Sequence, residues 1–193
     1  MGGDDDKFDL DFTTHFESDA VQAEKIPPPE KVVLDPEFRI GASKLETDGF
    51  FVAVARRNFA SGERPDVCTI MLVEDEPVTN AVLQKVLSTD GFRVYGAFDA
   101  AGLGKLLKLH GLPDLIMLDI ELPKVSGLQI LARVRKHPRL QAIPVLFVTS
   151  RAEMADVVRG LSLGANGYLS KPVTVESLRA VLRQILGTLP QKL

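Results

Sequence analysis

The chain has 193 residues, 45% hydrophobic and 25% charged, with a net charge of −3 and one cysteine, Cys68; this fits one well-buried domain plus an appendage. No apolar stretch approaches the ~18 residues of a membrane span, and the acidic N-terminus is unlike a secretory signal, so a cytoplasmic protein without a membrane span is expected. A lone cysteine excludes an internal disulfide and, with no Cys or His beside it at ligand spacing, does not suggest zinc.

Residues 1–66 hold 8 Lys+Arg and 15 Asp+Glu, a net −7, whereas residues 67–193 hold 15 and 11, a net +4. The first part is acidic, runs through Pro27-Pro28-Pro29 and offers few apolar side chains to offset ordering entropy, so an N-terminal arm that is largely disordered is expected. One strand-like run stands in it near residues 50–55, preceded by the turn signal Thr47-Asp48-Gly49. Neither part carries a dense Lys/Arg stripe. The basic group Arg133, Arg135, Lys136 and Arg139 reads as a solvated helix end, so direct nucleic-acid binding is not expected.

From Thr69 onward, strand and helix signals alternate five times, which predicts an α/β domain over residues 67–189, followed by a short tail at 190–193. Strand Thr69–Val73 is followed by a helix opening near Pro77, with Val78, Ala81, Val82 and Val86 expected on its inner face, ending at Gly91. Strand Phe92–Phe98 leads to a helix capped by Asp99 that carries Leu103, Leu106 and Leu107, weakened by Gly102 and Gly104. The third strand ends at Asp119. A helix from Ser126 to before Pro138 turns Leu128, Leu131 and Ala132 inward, and strand Ile143–Val148 follows. Ser150 is read as the cap of a helix with Met154, Val157, Val158 and Leu161 inward, which Gly164 ends. Strand Asn166–Leu169 precedes a last helix capped by Thr174, with Leu178, Val181, Leu182 and Ile185 inward and Gly187 at its end. Five such units make one doubly wound parallel sheet with five helices.

Polar groups gather at the strand ends. Glu74-Asp75 follows the first strand, Asp119 the third, Thr149-Ser150 the fourth and Ser170-Lys171-Pro172 the fifth. Open α/β sheets bind ligands outside the carboxyl ends of their strands, so these groups are expected to share one crevice. Clustered carboxylates repel unless a hard cation neutralises them, and Mg²⁺ takes one or two carboxylates plus phosphate oxygens and water. Glu74, Asp75 and Asp119 would provide that seat. Asp119 would serve as a nucleophile that accepts a phosphoryl group as an acyl phosphate, and Lys171 would offset the phosphoryl charge.

These signatures, with Leu118-Asp119-x-x-Leu122-Pro123, Gly127 and the run Gly164-Ala165-Asn166-Gly167-Tyr168-Leu169-Ser170-Lys171-Pro172, resemble the receiver domain of two-component response regulators over residues 68–189. The resemblance implies a flavodoxin-like sheet of order 2-1-3-4-5 and phosphorylation of Asp119 by a histidine kinase or histidine phosphotransfer protein. It also implies the backbone carbonyl of Glu121 as a further Mg²⁺ ligand. Thr149 would bond the phosphoryl group, and Tyr168 would turn inward as Thr149 moves, changing the face of helix four, strand five and helix five. Glu121 and Arg151, two residues beyond the phosphoacceptor and the switch threonine, are expected to pair across the site and tune the lifetime of the phosphate. In the arm, Asp48-Gly49-Phe50-Phe51-Val52-Ala53 resembles the last strand of Sun-type RNA cytosine methyltransferases, but no cofactor loop or catalytic cysteines accompany it.

The expected role is therefore a phosphoacceptor in signalling rather than a conventional enzyme. Only Thr188 to Leu193 follow the last helix, so output by contact with an unidentified downstream protein is expected, with Met154, Val158 and Val181 as apolar positions of the outlet face. A homodimer would form through the same face. A haloacid-dehalogenase-type phosphatase also uses an aspartate and Mg²⁺, but it requires a second Asp two residues on, where this chain has Glu121. A phosphorylation-independent interaction module with the same fold is the other alternative, against which the intact acids, Thr149 and Lys171 argue.

Overall fold

The computed structural model describes residues 67–150 and 154–187. The N-terminal arm, its strand near residues 50–55, Arg151, the Met154 side chain and the tail lie outside the described residues. Strands β1 (Thr69–Val73), β2 (Arg93–Ala97), β3 (Leu115–Leu118), β4 (Val145–Thr149) and β5 (Gly167–Ser170) form one parallel sheet in the order β2-β1-β3-β4-β5. Helices α1 (Pro77–Thr89), α2 (Ala100–His110), α3 (Gly127–Lys136), α4 (Met154–Ser162) and α5 (Val175–Leu186) alternate with them.

The central strands β1, β3 and β4 are almost wholly apolar and buried, as in parallel sheets, whereas the edge strand β2 begins at the exposed Arg93 and is only half-buried through Gly96. Met71, Val73, Ile116, Leu118 and Phe147 pack on one side with Leu103, Leu107, Leu131, Val134 and Val157 from α2, α3 and α4. Ile70, Leu72, Leu115, Met117 and Val148 pack on the other with Leu83 and Leu87 of α1 and Leu178, Val181, Leu182 and Ile185 of α5. The buried carboxylate of Asp90, at the end of α1, accepts two bonds from the Arg179 guanidinium at 2.6 and 2.8 Å and joins the two helices of that face.

Local chemistry sets the helix ends. Ser126 and Gln129 form a reciprocal capping box at α3, Thr174 caps α5, and Asp99 accepts from the Gly102 amide at α2. Gly187 at the end of α5 is left-handed, with φ 77°. The glycines of α2 do not break it. A Cβ on Gly102 would stand 3.0 Å from the Ala97 Cβ, so the missing side chain lets the helix start close against the end of β2. Strand β4 begins two residues later than expected, because Ile143 closes a turn with the Leu140 carbonyl and Pro144 has no N–H for the ladder.

The inner face of α1 differs from the expected one. Val78 and Val82 are 68% and 54% exposed and Ala81 also faces outward, while the buried positions are Asn80, Leu83 and Leu87. The true stripe runs i, i+3, i+7 and contains an asparagine, which hid it from a reading based on apolar periodicity. Val181 likewise lies in the core, fully buried, and not on an outlet face, whereas Val158 on α4 is 37% exposed.

The α1 cap carries a pH dependence. Glu76 accepts from the Val78 and Thr79 amides, and bonding from the Thr79 hydroxyl and these amides holds its carboxyl below the ordinary range. Its stabilising bond is therefore present above the unfolded-state pKa and lost as pH falls through the lowered folded value. Thermal melts of Glu76→Ala are expected to show a lower Tm than wild type at pH 7, with the deficit closing as the pH drops through the acidic range below that of an ordinary glutamate.

Candidate functional site: an acidic crevice at the strand ends

β1 and β3 lie side by side at the point where the chain changes direction across the sheet, since β2 was laid down on one side of β1 and β3 to β5 on the other. Crossovers leave an opening at such a switch point. The Asp119 amide donates to the Val73 carbonyl at 3.0 Å, which fixes Asp119 beside the first residue after β1. That residue is Glu74. One carboxylate oxygen each from Glu74, Asp75 and Asp119 lies within 4.8 Å of the others, with Glu74 and Asp119 buried and Asp75 exposed. At that spacing two unit charges repel by roughly 3–4 kcal/mol at an effective dielectric constant near 20, so the cluster needs a cation.

Lys171 supplies one from the end of β5. Its Nζ stands 2.6 Å from Asp119 Oδ2 and 2.7 Å from Glu74 Oε2, and its backbone N–H donates to the Thr149 carbonyl. Burial works against the ammonium, but the hydrogen bonds and charges of Asp119 and Glu74 outweigh it and raise its pKa overall. Burial pushes the Glu74 carboxyl above the ordinary range despite the pull of Lys171, and the neighbouring Asp119 charge adds to the rise. The second Asp119 oxygen, Oδ1, accepts from the Glu121 amide at 3.0 Å, so the carboxylate plane is held from two sides.

Gly127 allows this approach. A Cβ there would overlap the Asp119 carbonyl, while the Gly127 amide donates to the Ile120 carbonyl at 3.0 Å. The start of α3 is thus seated directly on the peptide of the acid.

The structure brings Glu74, Asp75, Asp119 and Lys171 into direct company. Thr149, fully buried, is the last residue of β4, in register with Ser170 immediately before Lys171. It sits inside the strand and not in the loop after it. Tyr168 is 1% exposed and turned inward, its ring 6.0 Å from that of Phe147. The loop before Tyr168 is pinned by Arg135, whose guanidinium donates to the Gly164 and Ile143 carbonyls and to Asn166 Oδ1 at 2.7 to 2.9 Å. Glu121 is exposed, and the partner expected for it, Arg151, lies outside the described residues. A polar residue not expected in the site, Asn80, donates to the carbonyls of Glu74 and Ala97.

A family profile described as the response regulator receiver domain matches residues 70–183. The chain belongs to this family. Among its relatives, the DNA-binding dual master transcriptional regulator RpaA of Synechocystis is 37% identical over 117 residues, 61% of this chain and 48% of that protein. The chain spans about half the length of the curated relatives it matches. The crystal structure of the receiver domain of a sensor histidine kinase from Pseudomonas aeruginosa, with a magnesium ion coordinated in its active-site cleft, is 27% identical, with a TM-score of 0.56 over 63% of this chain and 99% of that one. A phosphorylated cyanobacterial phytochrome response regulator is also 27% identical, with a TM-score of 0.55 over 65% and 99%. The receiver fold and its acidic cluster are therefore present in this chain, and among the described residues no helix is long and apolar enough to cross a membrane.

The raised Glu74 pKa has a measurable cost. An acid whose folded pKa lies above its unfolded value destabilises the protein at pH above the folded value, and that penalty fades as pH falls toward the unfolded one. In EDTA at pH 7, Glu74→Gln is expected to melt above wild type, with the advantage shrinking on acidification. Equal melting curves at pH 7 would contradict the burial argument.

Proposed function

We propose that this chain is a phosphorylation-dependent receiver that accepts a phosphoryl group on Asp119 from a histidine kinase or a histidine phosphotransfer protein. The observation that carries the reading is the junction of three carboxylates and one lysine at the β1/β3 switch point. An all-oxygen donor set with one exposed member suits a hard divalent cation such as Mg²⁺. Glu74, Asp75, Asp119 and the backbone carbonyl of Glu121 would hold it. When bound it supplies positive charge toward the phosphoryl oxygens.

The protein's own groups then do three things. Asp119, oriented by the Glu121 amide, attacks phosphorus: an Asp O–P bond forms, the P–N bond of the phosphohistidine breaks, and the imidazole leaves with a proton. Phosphoryl transfer asks mainly for alignment and charge stabilisation, both of which a fixed carboxylate and a neighbouring ammonium provide. Lys171, already on Asp119 Oδ2, stays with the incoming charge. Thr149 bonds a phosphoryl oxygen through its hydroxyl and draws the end of β4 inward.

The switch would be read through Tyr168 and the surface of α4, β5 and α5, a two-state face biased by local charge. Tyr168 packs inward, beside Phe147. On this reading the chain turns over no substrate beyond its own phosphorylation and dephosphorylation. Output runs through an unidentified protein, with a second copy docking on the same face as one form of it. Glu121, together with Arg151, is assigned the tuning of phosphate lifetime.

Incubation with Mg²⁺ and acetyl phosphate followed by intact-mass spectrometry tests the reading. A gain of about 80 Da is expected in wild type, absent from Asp119→Ala and absent when EDTA replaces Mg²⁺. No gain with either a small phosphodonor or a phosphorylated histidine phosphotransfer protein would favour the phosphorylation-independent module.

A further inference from the structure

Asn80 is 1% exposed on the inner face of α1, where the neighbouring buried residues of the helix are Leu83 and Leu87. A carboxamide at such a place must have every polar atom satisfied, and this one does. Its Nδ2 donates to the Glu74 carbonyl at 2.8 Å and to the Ala97 carbonyl at 2.9 Å, and its Oδ1 accepts from Gln84 Nε2 at 2.7 Å. The carbonyl it holds belongs to the peptide that joins Glu74 to Asp75. The Glu74 amide donates to the same Ala97 oxygen at 3.0 Å. Both ends of the Glu74 backbone are thus tied to the tip of β2, one directly and one through Asn80.

Gly96 completes the arrangement. A Cβ on it would overlap both Asn80 Oδ1 and the Gln84 carboxamide, so the pair fits only because β2 has no side chain at that place. Of the three residues, Asn80 alone bonds the Glu74–Asp75 peptide, while Gln84 bonds the Asn80 carboxamide and Gly96 leaves room for both. The held carbonyl lies between the two residues that carry the acids, Glu74 and Asp75.

We propose that Asn80, oriented by Gln84 and accommodated by Gly96, is a positioning residue that presents Glu74 and Asp75 to a divalent cation. This rests on the reading of the acidic crevice as a cation seat. Without the carboxamide, the Glu74 carbonyl is left buried with no donor from α1, the peptide turns toward another partner, and the two acids no longer converge. Groups that orient metal ligands from behind are typically worth about 10- to 100-fold in affinity.

The test uses full-length protein and Mn²⁺ as the probe, with free Mn²⁺ read by electron paramagnetic resonance. Phosphorylation by acetyl phosphate is followed in parallel as a function of cation concentration. Asn80→Leu and Gly96→Ala are expected to raise the Mn²⁺ Kd by roughly 10-fold, at the lower end of that range, and Gln84→Met by less. The cation concentration for half-maximal phosphorylation should rise in step, while the rate at saturating cation recovers toward wild type. That split is not expected of a residue that only supports the fold. A lower Tm with an unchanged Kd in Gly96→Ala and Gln84→Met would overturn the proposal, and those two variants decide the matter if Asn80→Leu does not fold. Wild-type protein that binds no Mn²⁺ would instead overturn the reading of the crevice, and this inference with it.

Discussion

Three clustered carboxylates, two of them paired with one ammonium, are the constraint on which the rest of the molecule turns. Glu74, Asp75 and Asp119 stand close enough to repel strongly, and two of them are buried, so the arrangement is unfavourable unless positive charge is present. Lys171, just past the end of β5, meets part of that need by pairing with Glu74 and Asp119. The sheet can bear the strain because its central strands are buried and apolar between helices on both faces. Stability is gathered in the layers so that instability can be tolerated at one edge of them.

That imbalance is also what makes the site responsive. On the proposed reading, a bound divalent cation would relieve the repulsion, and a phosphoryl group added to Asp119 would restore negative charge beside Lys171. Thr149 and Lys171 are joined through the backbone, Lys171 N–H to Thr149 carbonyl, and Thr149 pairs in register with Ser170 two residues after Tyr168. On the proposed reading, this backbone link is the route by which a charge change at Asp119 would reach the α4-β5-α5 face. The opposite margin of the crevice is built differently. The Glu74–Asp75 peptide is anchored through Asn80 to α1 and to the end of β2.

Much of this was legible in the residues. Alternating strand and helix signals gave the parallel sheet, and the strand ends carrying Glu74-Asp75, Asp119 and Lys171 gave the acidic crevice together, since any one of them alone reads more readily as a turn or cap. Caps such as Asp99, Ser126 and Thr174 placed their helices correctly. The inner face of α1 was misread for a physical reason. Val78 and Val82 are β-branched, apolar and four apart, yet they face water, while the inward stripe contains Asn80, whose hydrogen bonds are long-range and leave no mark on local periodicity. A polar residue in step with Leu83 and Leu87 was the signal available. The role of Gly96 was hidden for the same reason, since a glycine that makes room for a side chain 16 positions earlier, Asn80, looks like any other glycine in a strand. The expected pairing of Glu121 with Arg151 falls on a residue outside those described.

The most direct test of the account asks where the phosphoryl group goes. Protein treated with acetyl phosphate and Mg²⁺ can be reduced with borohydride, which converts an aspartyl phosphate to homoserine, and then mapped by peptide mass spectrometry. The account predicts homoserine at position 119 alone, dependent on Mg²⁺ and lost from Lys171→Ala or strongly reduced in it. Homoserine at another acid, or none in protein shown to bind the cation, would contradict it.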